Sequence, residues 1–286
     1  MTSRRAQGLN DRIRIAATDR GEDAHRIRRG LVFQRLLGRL APQGLVLKGG
    51  FCLEVRLGDV ARTTKDIDLV GRMALASDPD DVLDALEHAL ASGSFDDGFS
   101  FRPGVPRRLR ADEAGSPAWR VSVDALVDGA PFERIKLDLV GQVEEVAGAT
   151  EPLEVRAPIT APGCGPVTVA AIDVHQHAAE KLHAYARLYS GGRTFSRVKD
   201  LVDLVLLIDA GLLTDPPRLS ERLAVVWSAR DQSRPPPSLP EPPASWEDDL
   251  ARLLSDLGTP HRSLAAAHTL VTDLYSAAID DEGTSA

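Results

Sequence analysis

The amino-acid sequence predicts an α+β protein in which a mixed-sheet lobe, residues 1–165, is followed by an α-helical lobe, residues 166–286. Three observations lead to this class. Residues 45–70 combine a strand, a Gly-Gly turn, a short helix and a second strand, and residues 99–140 alternate apolar and polar positions as strands do. After a connection rich in proline and glycine, the remaining chain has the periodicity of helices.

The composition is that of an ordinary globular protein, with 43% hydrophobic and 27% charged residues. No run approaches the eighteen or so apolar residues of a membrane span, and residues 1–5 lack the apolar start of a signal peptide. We therefore expect a cytoplasmic protein without a membrane partner. Cys52 and Cys164 provide neither a disulfide framework nor a zinc-binding spacing.

The net charge of −8 argues against a protein that coats nucleic acid, but the charge is unevenly distributed. Residues 1–40 contain ten arginines and four acids, so a polyanion can still bind locally. From Ala24 onward the apolar spacing predicts an amphipathic helix. Its arginines are interpreted either as the solvated face of a packing helix or as an RNA-binding surface.

The stretch around two aspartates predicts a site for a nucleotide and a metal ion. Asp66 and Asp68 alternate with apolar residues, so both carboxylates lie on one face of the strand, with α-carbons about 6.5–7 Å apart. Such a pair can hold Mg²⁺ or Mn²⁺ together with substrate phosphates. Gly49 and Gly50 allow backbone N–H groups to approach those phosphates at a helix N-terminus, and Lys65 is a further candidate contact with the nucleotide.

The next elements are a helix over residues 78–90 and an antiparallel hairpin. The hairpin pairs residues 119–127 with residues 132–140 around an Asp-Gly turn. Asp138 lies between two leucines, which places its carboxylate on the opposite face of the strand. The pattern favours a functional carboxylate at Asp138, and the alternative is a solvated charge on a half-buried sheet.

Residues 141–170 read as a connection of low periodicity. Helices follow over about residues 172–189 and 197–210, and a polyproline-like spacer at 234–243 precedes helices near 246–257 and 261–279. Three histidines lie in or near the first of these helices, but their spacings of two and six do not match a helical zinc pair. These are His175, His177 and His183.

Four sequence features together resemble the AbiEii family of toxin-like nucleotidyltransferases, which includes the Men-type toxins. They are Leu-Lys-Gly-Gly at 47–50, Arg-Thr-Thr-Lys-Asp-Ile-Asp at 62–68, Glu-Lys-Leu-His-Ala at 180–184 and Lys-Asp-Leu-Val-Asp-Leu at 199–204. The resemblance covers about residues 45–210 and implies the polymerase-beta-like nucleotidyltransferase fold.

The resemblance also implies roles for individual residues. Asp66 and Asp68 would be catalytic metal ligands, and Asp138 would bind a second metal ion or act as general base. Lys181 would be the catalytic lysine, in contact with the nucleotide, and Asp203 the catalytic aspartate of the following helix. Asp200 is a less specific companion. Four basic residues near the loop between the helices are candidate contacts for triphosphate or RNA, or are only solvated: Arg187, Arg193, Arg197 and Lys199.

The implied function is that of a toxin that transfers nucleotides from an NTP to the 3′ acceptor end of tRNA and so blocks translation. A cognate antitoxin is the expected partner. Two alternatives remain open: the acceptor is a protein or a small molecule, or the chain is a non-catalytic module that retains the fold. A phosphate on Thr64 would add about two negative charges beside Asp66 and block triphosphate binding.

Overall fold

The computed structural model describes residues 3–92, 95–109, 116–187, 195–260 and 262–280. The predicted helix end at Gly93, and Arg193 of the basic cluster, lie outside these ranges. Contacts between α-carbons divide the chain into two compact units. The first unit comprises residues 1–52 and 63–171, and the second comprises residues 53–62 and 172–286.

Within the described residues, the elements of regular structure are the following. The helices are α1 (Arg4–Arg20), α2 (Ala24–Leu40), α3 (Gly49–Leu57), α4 (Pro79–Ala91), α5 (Val174–Ala186), α6 (Phe195–Asp209), α7 (Pro216–Asp231), α8 (Glu247–Asp256) and α9 (Leu264–Asp280). The strands are β1 (Val46–Lys48), β2 (Asp66–Val70), β3 (Phe99–Pro103), β4 (Arg107–Arg108), β5 (Ala118–Val127), β6 (Ala130–Val140), β7 (Thr150–Val155) and β8 (Val167–Ile172). None of the described helices combines the length and the apolar character that crossing a membrane requires.

The strands form one mixed sheet in the order β3-β5-β6-β2-β1-β8-β7, and β4 pairs with β5. The central pair, β2 and β6, is parallel, whereas β5–β6 and β1–β2 are antiparallel. Ile67 and Leu137 point into the core, where α2 packs on β6, and the alternate positions carry polar side chains. The predicted α+β class is confirmed, as is the hairpin around the Asp128-Gly129 turn.

The prediction for residues 141–170 was wrong, because this stretch contains β7 and most of β8. β8 runs parallel to β1 and thereby extends the sheet. Most of the prolines and glycines of this stretch lie between these two strands, and such residues dominate a prediction made from composition. Two helices, α1 and α7, also went unpredicted.

The second unit is helical and has an aromatic core. Tyr185, Trp246 and Tyr275 are almost fully buried, and the rings of Tyr185 and Trp246 meet edge to face. The two tyrosine hydroxyls donate hydrogen bonds to the carbonyls of Pro240 and Pro236. The proline-rich spacer is therefore held against the helices, because each buried hydroxyl needs an acceptor and proline carbonyls supply it.

Candidate active site

The Gly-Gly turn between β1 and α3 lies directly against the D-x-D strand. Gly49 has a φ of +68°, and a β-carbon built on it would come 2.0 Å from Oδ2 of Asp68. A β-carbon on Gly50 would come 2.9 Å from the hydroxyl of Thr64. Only glycine combines this backbone angle with so close an approach, so the turn places main-chain atoms beside a carboxylate.

The parallel register of β2 and β6 brings the third predicted acid to the same face. Asp68 is paired with Asp138, and Asp66 with Lys136. Side chains at paired positions of neighbouring strands project to the same side of a sheet, so the three carboxylates share one face. Asp138 is buried, whereas the side chain of Asp66 is one-third exposed.

Arg120 on β5 completes this cluster and was not singled out from the sequence. Its Nε and Nη2 donate to the two oxygens of Asp138, each at 2.7 Å, and Nη2 lies 3.7 Å from Oδ2 of Asp66. The hydrogen bonds that Arg120 donates to Asp138 raise the pKa of Arg120 and outweigh its partial desolvation. The guanidinium therefore remains charged among the acids.

One carboxylate oxygen of the cluster is suited to bind a cation. Oδ1 of Asp66 is buried and has no hydrogen-bond partner within the described residues. A buried carboxylate oxygen without a partner is costly, and a bound cation would remove the cost. Among those residues, no three His, Cys, Asp or Glu side chains are grouped to bind a metal ion together. Magnesium is commonly held by one or two carboxylates and substrate phosphates, so Asp66 and Asp68 suffice as protein ligands.

Thr64 and Lys65 precede the D-x-D strand. The Thr64 hydroxyl donates to the carbonyl of Asp66 at 3.2 Å and accepts from its N–H at 3.5 Å. Thr64 is partly buried, and Lys65 is exposed. Thr64 thus shapes the start of the strand that carries the acids, while Lys65 presents its charge to solvent.

The second unit holds a separate network of charges around Asp203 on α6. Lys181 on α5 donates to Oδ2 of Asp203 at 2.7 Å and to Oδ1 of Asp200 at 3.3 Å. Arg62 donates to both oxygens of Asp203, each at 2.9 Å. Asp203 is only 2% exposed, so it contacts these two cationic side chains in a buried setting.

The ion pairs decide the charge states in this network. Burial alone would raise the pKa of Asp203, but Lys181 and Arg62 lower it below its usual range. Burial would likewise lower the pKa of Lys181, and the carboxylates of Asp203 and Asp200 raise it instead. Both groups are charged at neutral pH, so Lys181 is a cation held by a fixed partner.

Arg62 is part of a sequence motif, but no role was predicted for it. Residues 53–62 belong to the same unit as α5 and α6, and this placement gives Arg62 its contact with Asp203. An arginine near a glycine turn and a buried helical aspartate both need a partner of opposite charge, so the sequence does contain a signal for such a pair. The spacing of 141 residues between the two gives no means of pairing them.

The predicted basic cluster is partly engaged in ion pairs within the protein. Arg187 pairs with Asp231 at 3.2 Å, and Arg197 pairs with Asp200 at 3.0 Å. Of the histidines, His177 is buried and desolvation holds its pKa well below the usual value. His183 is also buried and bonds to Asp231, so both are core residues.

A glycine turn lies beside a D-x-D strand on a mixed sheet, and the same chain has a buried Lys–Asp pair, which is the combination expected of a nucleotidyltransferase. The chain belongs to the family described as nucleotidyl transferase AbiEii toxin, type IV toxin–antitoxin system, whose model matches residues 33–270. It is therefore a nucleotidyltransferase toxin of such a system, as the sequence motifs predict. Membership of this family also implies an NTP substrate and an antitoxin partner.

One solved structure supports the fold. MenT4, a nucleotidyltransferase toxin from Mycobacterium tuberculosis H37Rv, is 24% identical, with a TM-score of 0.55 over 96% of this chain and 92% of that chain. The Megavirus polyadenylate synthase is 13% identical over 70% of this chain and 34% of its own, and its TM-score of 0.35 is too low to support a conclusion. No curated protein sequence matches this chain significantly.

Proposed function

We propose that this toxin transfers nucleotides from an NTP to the 3′ acceptor end of tRNA in the cytoplasm, with Mg²⁺ or Mn²⁺ as cofactor, and so blocks translation. The observation that best supports a metal-dependent reaction is the buried Oδ1 of Asp66, which has no hydrogen-bond partner in the described part of the chain and lies next to Asp68 and the Gly49 turn. The acceptor is proposed from the family resemblance, and its RNA nature is the part that the first experiment tests.

In the proposed reaction, an acceptor hydroxyl oxygen bonds to the α-phosphorus of the NTP. The bond from that phosphorus to the bridging oxygen breaks, and pyrophosphate leaves. The hydroxyl proton passes to a base, for which Asp138 is the candidate. A divalent cation held by Asp66 and Asp68, with Asp138 as the third proposed ligand, would neutralise charge on the triphosphate and on the leaving group.

The remaining site residues are proposed to bind and orient the triphosphate. The main-chain N–H groups of Gly49 and Gly50 suit phosphate oxygens at the start of α3, and Lys65 offers an exposed charge. Lys181 is proposed to act as a point charge for the triphosphate or pyrophosphate. Asp203 would orient that lysine, in agreement with its 2.7 Å contact.

The test is expression of the wild type and of Asp66→Ala in a bacterial host, followed by sequencing of tRNA 3′ ends. We expect extended tRNA ends and growth arrest only with the wild type. Asp124→Asn is a matched control, because Asp124 lies on the same sheet but is bound to Arg134 in a surface pair. Extended ends in the Asp66→Ala strain would contradict the assignment.

A second assay separates the acceptor classes. The purified protein is incubated with α-labelled NTPs and either total RNA or total protein. Label in RNA that depends on Asp66 supports the proposal, whereas label in protein or in a small molecule would transfer the same chemistry to another acceptor. Absence of any Asp66-dependent turnover would indicate a non-catalytic module.

Thr64 is the proposed position of a regulatory phosphate. Its hydroxyl lies within hydrogen-bond distance of the Asp66 main chain, so a phosphate there would repel the triphosphate. We expect Thr64→Glu to lose most NTP turnover, while Thr63→Glu, at the neighbouring exposed position, retains it. Undiminished turnover in Thr64→Glu would remove the proposal.

A further inference from the structure

Arg120 binds Asp138, the third carboxylate of the predicted metal site. Its guanidinium binds both oxygens of Asp138 and is also attracted by the negative charges of Asp66 and Asp68. In this arrangement neither oxygen of Asp138 is available to a second cation from the side that Arg120 covers. The pair is asymmetric, because the Asp138 side chain is 10% exposed and that of Arg120 is 40% exposed.

This asymmetry determines which partner can leave. Asp138 lies on a central strand between buried leucines, and a buried carboxylate needs a cation close by. Arg120 ends in partly exposed space, where a long side chain can exchange its protein partner for water at low cost. The carboxylate is fixed and the guanidinium is replaceable.

We propose that Arg120 is a built-in counter-ion of the acid cluster that neutralises Asp138 without bound metal and is displaced when a divalent cation binds. The inference rests on the proposed metal dependence and adds a residue that sets metal affinity. A monovalent guanidinium and a divalent ion cannot share one face of Asp138, so they compete. The buried carboxylate of Asp138 is therefore neutralised both without metal, by Arg120, and with metal, by the divalent cation.

The same hairpin contains a matched control. Arg134 and Asp124 occupy paired positions on β6 and β5, just as Asp138 and Arg120 do, and their guanidinium also binds both carboxylate oxygens. Both side chains of this second pair are more exposed than those of the first pair, and Asp124 is not a candidate metal ligand. Removing Arg134 therefore removes an equal charge from the same sheet without exposing a site carboxylate.

The test is Mn²⁺ binding to the full chain without nucleotide, measured by electron paramagnetic resonance. We expect Arg120→Gln to bind Mn²⁺ roughly tenfold more tightly than the wild type, as expected from loss of one charge-assisted pair. Arg120→Lys, which keeps the charge but lacks the planar fork, should lie between them. Arg134→Gln should match the wild type, and Asp66→Asn should bind more weakly.

Thermal unfolding gives an independent readout. In EDTA, Arg120→Gln should melt below the wild type, and Mn²⁺ should raise its melting temperature more than that of the wild type. Equal Mn²⁺ affinities for the wild type and both Arg120 variants, with binding that still depends on Asp66, would overturn this inference alone. If Mn²⁺ bound to no variant, the proposed metal dependence would fail as well.

Discussion

Asp203 is held by two cationic side chains, and weakening the contact with one of them should be visible in catalysis. We expect Arg62→Lys to lower kcat/KM by about tenfold, because the fork that fixes both oxygens of Asp203 is lost and Asp203 then holds Lys181 less firmly in place. The measurement is steady-state pyrophosphate release with Mg²⁺ and NTP.

Arg262→Lys is the matched control for this prediction. Arg262 makes a similar two-oxygen contact with Asp209, which lies on the same helix α6 as Asp203 but at a more exposed position. Its replacement should leave kcat/KM unchanged. Equal activities of the two lysine variants would show that the Arg62 contact has no role in turnover.

Gly49 is under two constraints, a left-handed backbone and the approach of Asp68. We expect Gly49→Ala to reduce kcat by on the order of a hundredfold, since a shift of about 1 Å in a reacting group is enough for that loss. The measurement is single-turnover nucleotide transfer.

Gly129→Ala separates strain from steric collision. Gly129 also has a positive φ, of +78°, but a β-carbon there would have no atom of the described residues within 4 Å. This variant should lose only about 1–2 kcal/mol of stability and no activity. A Gly49→Ala enzyme as active as Gly129→Ala would contradict the role assigned to the turn.

Which single residues could be predicted depends on whether their contacts are local. Asp66, Asp68 and the glycines are identified by strand alternation and turn chemistry, which act over a few residues. Arg62 and Arg120 were not identified, because each is defined by a partner elsewhere in the chain. The sequence does not show which distant residue a charged side chain will contact.

At the level of elements, the register of the hairpin shows how such a partner is set. Near the turn Leu126 pairs with Pro131, but beyond it Ala125 pairs with Glu133, so β6 contributes one extra residue. This bulge shifts the pairing and places Arg120 opposite Asp138 instead of Leu137. The sequence predicts the hairpin and its turn, but a two-residue turn alone gives the register without the shift.

A second link between elements is the buried pair of Arg39 on α2 and Asp97 before β3. Arg39 donates to both oxygens of Asp97, and Arg35 lies 3.5 Å from the same carboxylate. We expect Asp97→Asn to destabilise the protein by about 3–5 kcal/mol, because two buried guanidiniums lose their counter-charge. Asp96→Asn, at the fully exposed neighbouring position, should change stability little.

The same pair predicts a pH dependence. Burial would raise the pKa of Asp97, but the hydrogen bonds from Arg39 and from the N–H of Phe99 lower it below its usual range. A carboxylate with a lowered folded-state pKa stabilises the protein above its unfolded pKa, and this contribution is lost as the pH falls through the folded value. Urea unfolding between pH 7 and about pH 3 should show a loss below about pH 4 that is smaller in Asp97→Asn. Identical pH profiles would contradict the prediction.

At the scale of the whole molecule, the chain order does not follow the two units. Residues 53–62 follow the glycine turn in sequence but belong with residues 172–286. Leu53 is buried in the core of the helical unit, and Arg62 pairs with Asp203. A single boundary drawn along the sequence assigns this segment to the sheet lobe, because composition shows where helices begin but not which unit a short segment joins.

This organisation predicts the behaviour of fragments. A fragment of residues 172–286 lacks Leu53 and Arg62, so we expect it to unfold at a lower temperature than the same fragment with residues 53–62 fused through a flexible linker. The fluorescence of Trp227 and Trp246 reports on this unit alone, since Trp119 is absent from both fragments. Equal midpoints would show that residues 53–62 add no stability.

The twin arginine–aspartate pairs of the hairpin also make the molecule its own internal standard. Arg120 and Arg134 are anchored on adjacent strands, so temperature, ionic strength or loss of folded protein would alter the Nε–H signals of both in a nuclear magnetic resonance spectrum. A divalent ion at the acid cluster would move only the Arg120 signal. One titration of a single sample therefore contains the probe and its reference.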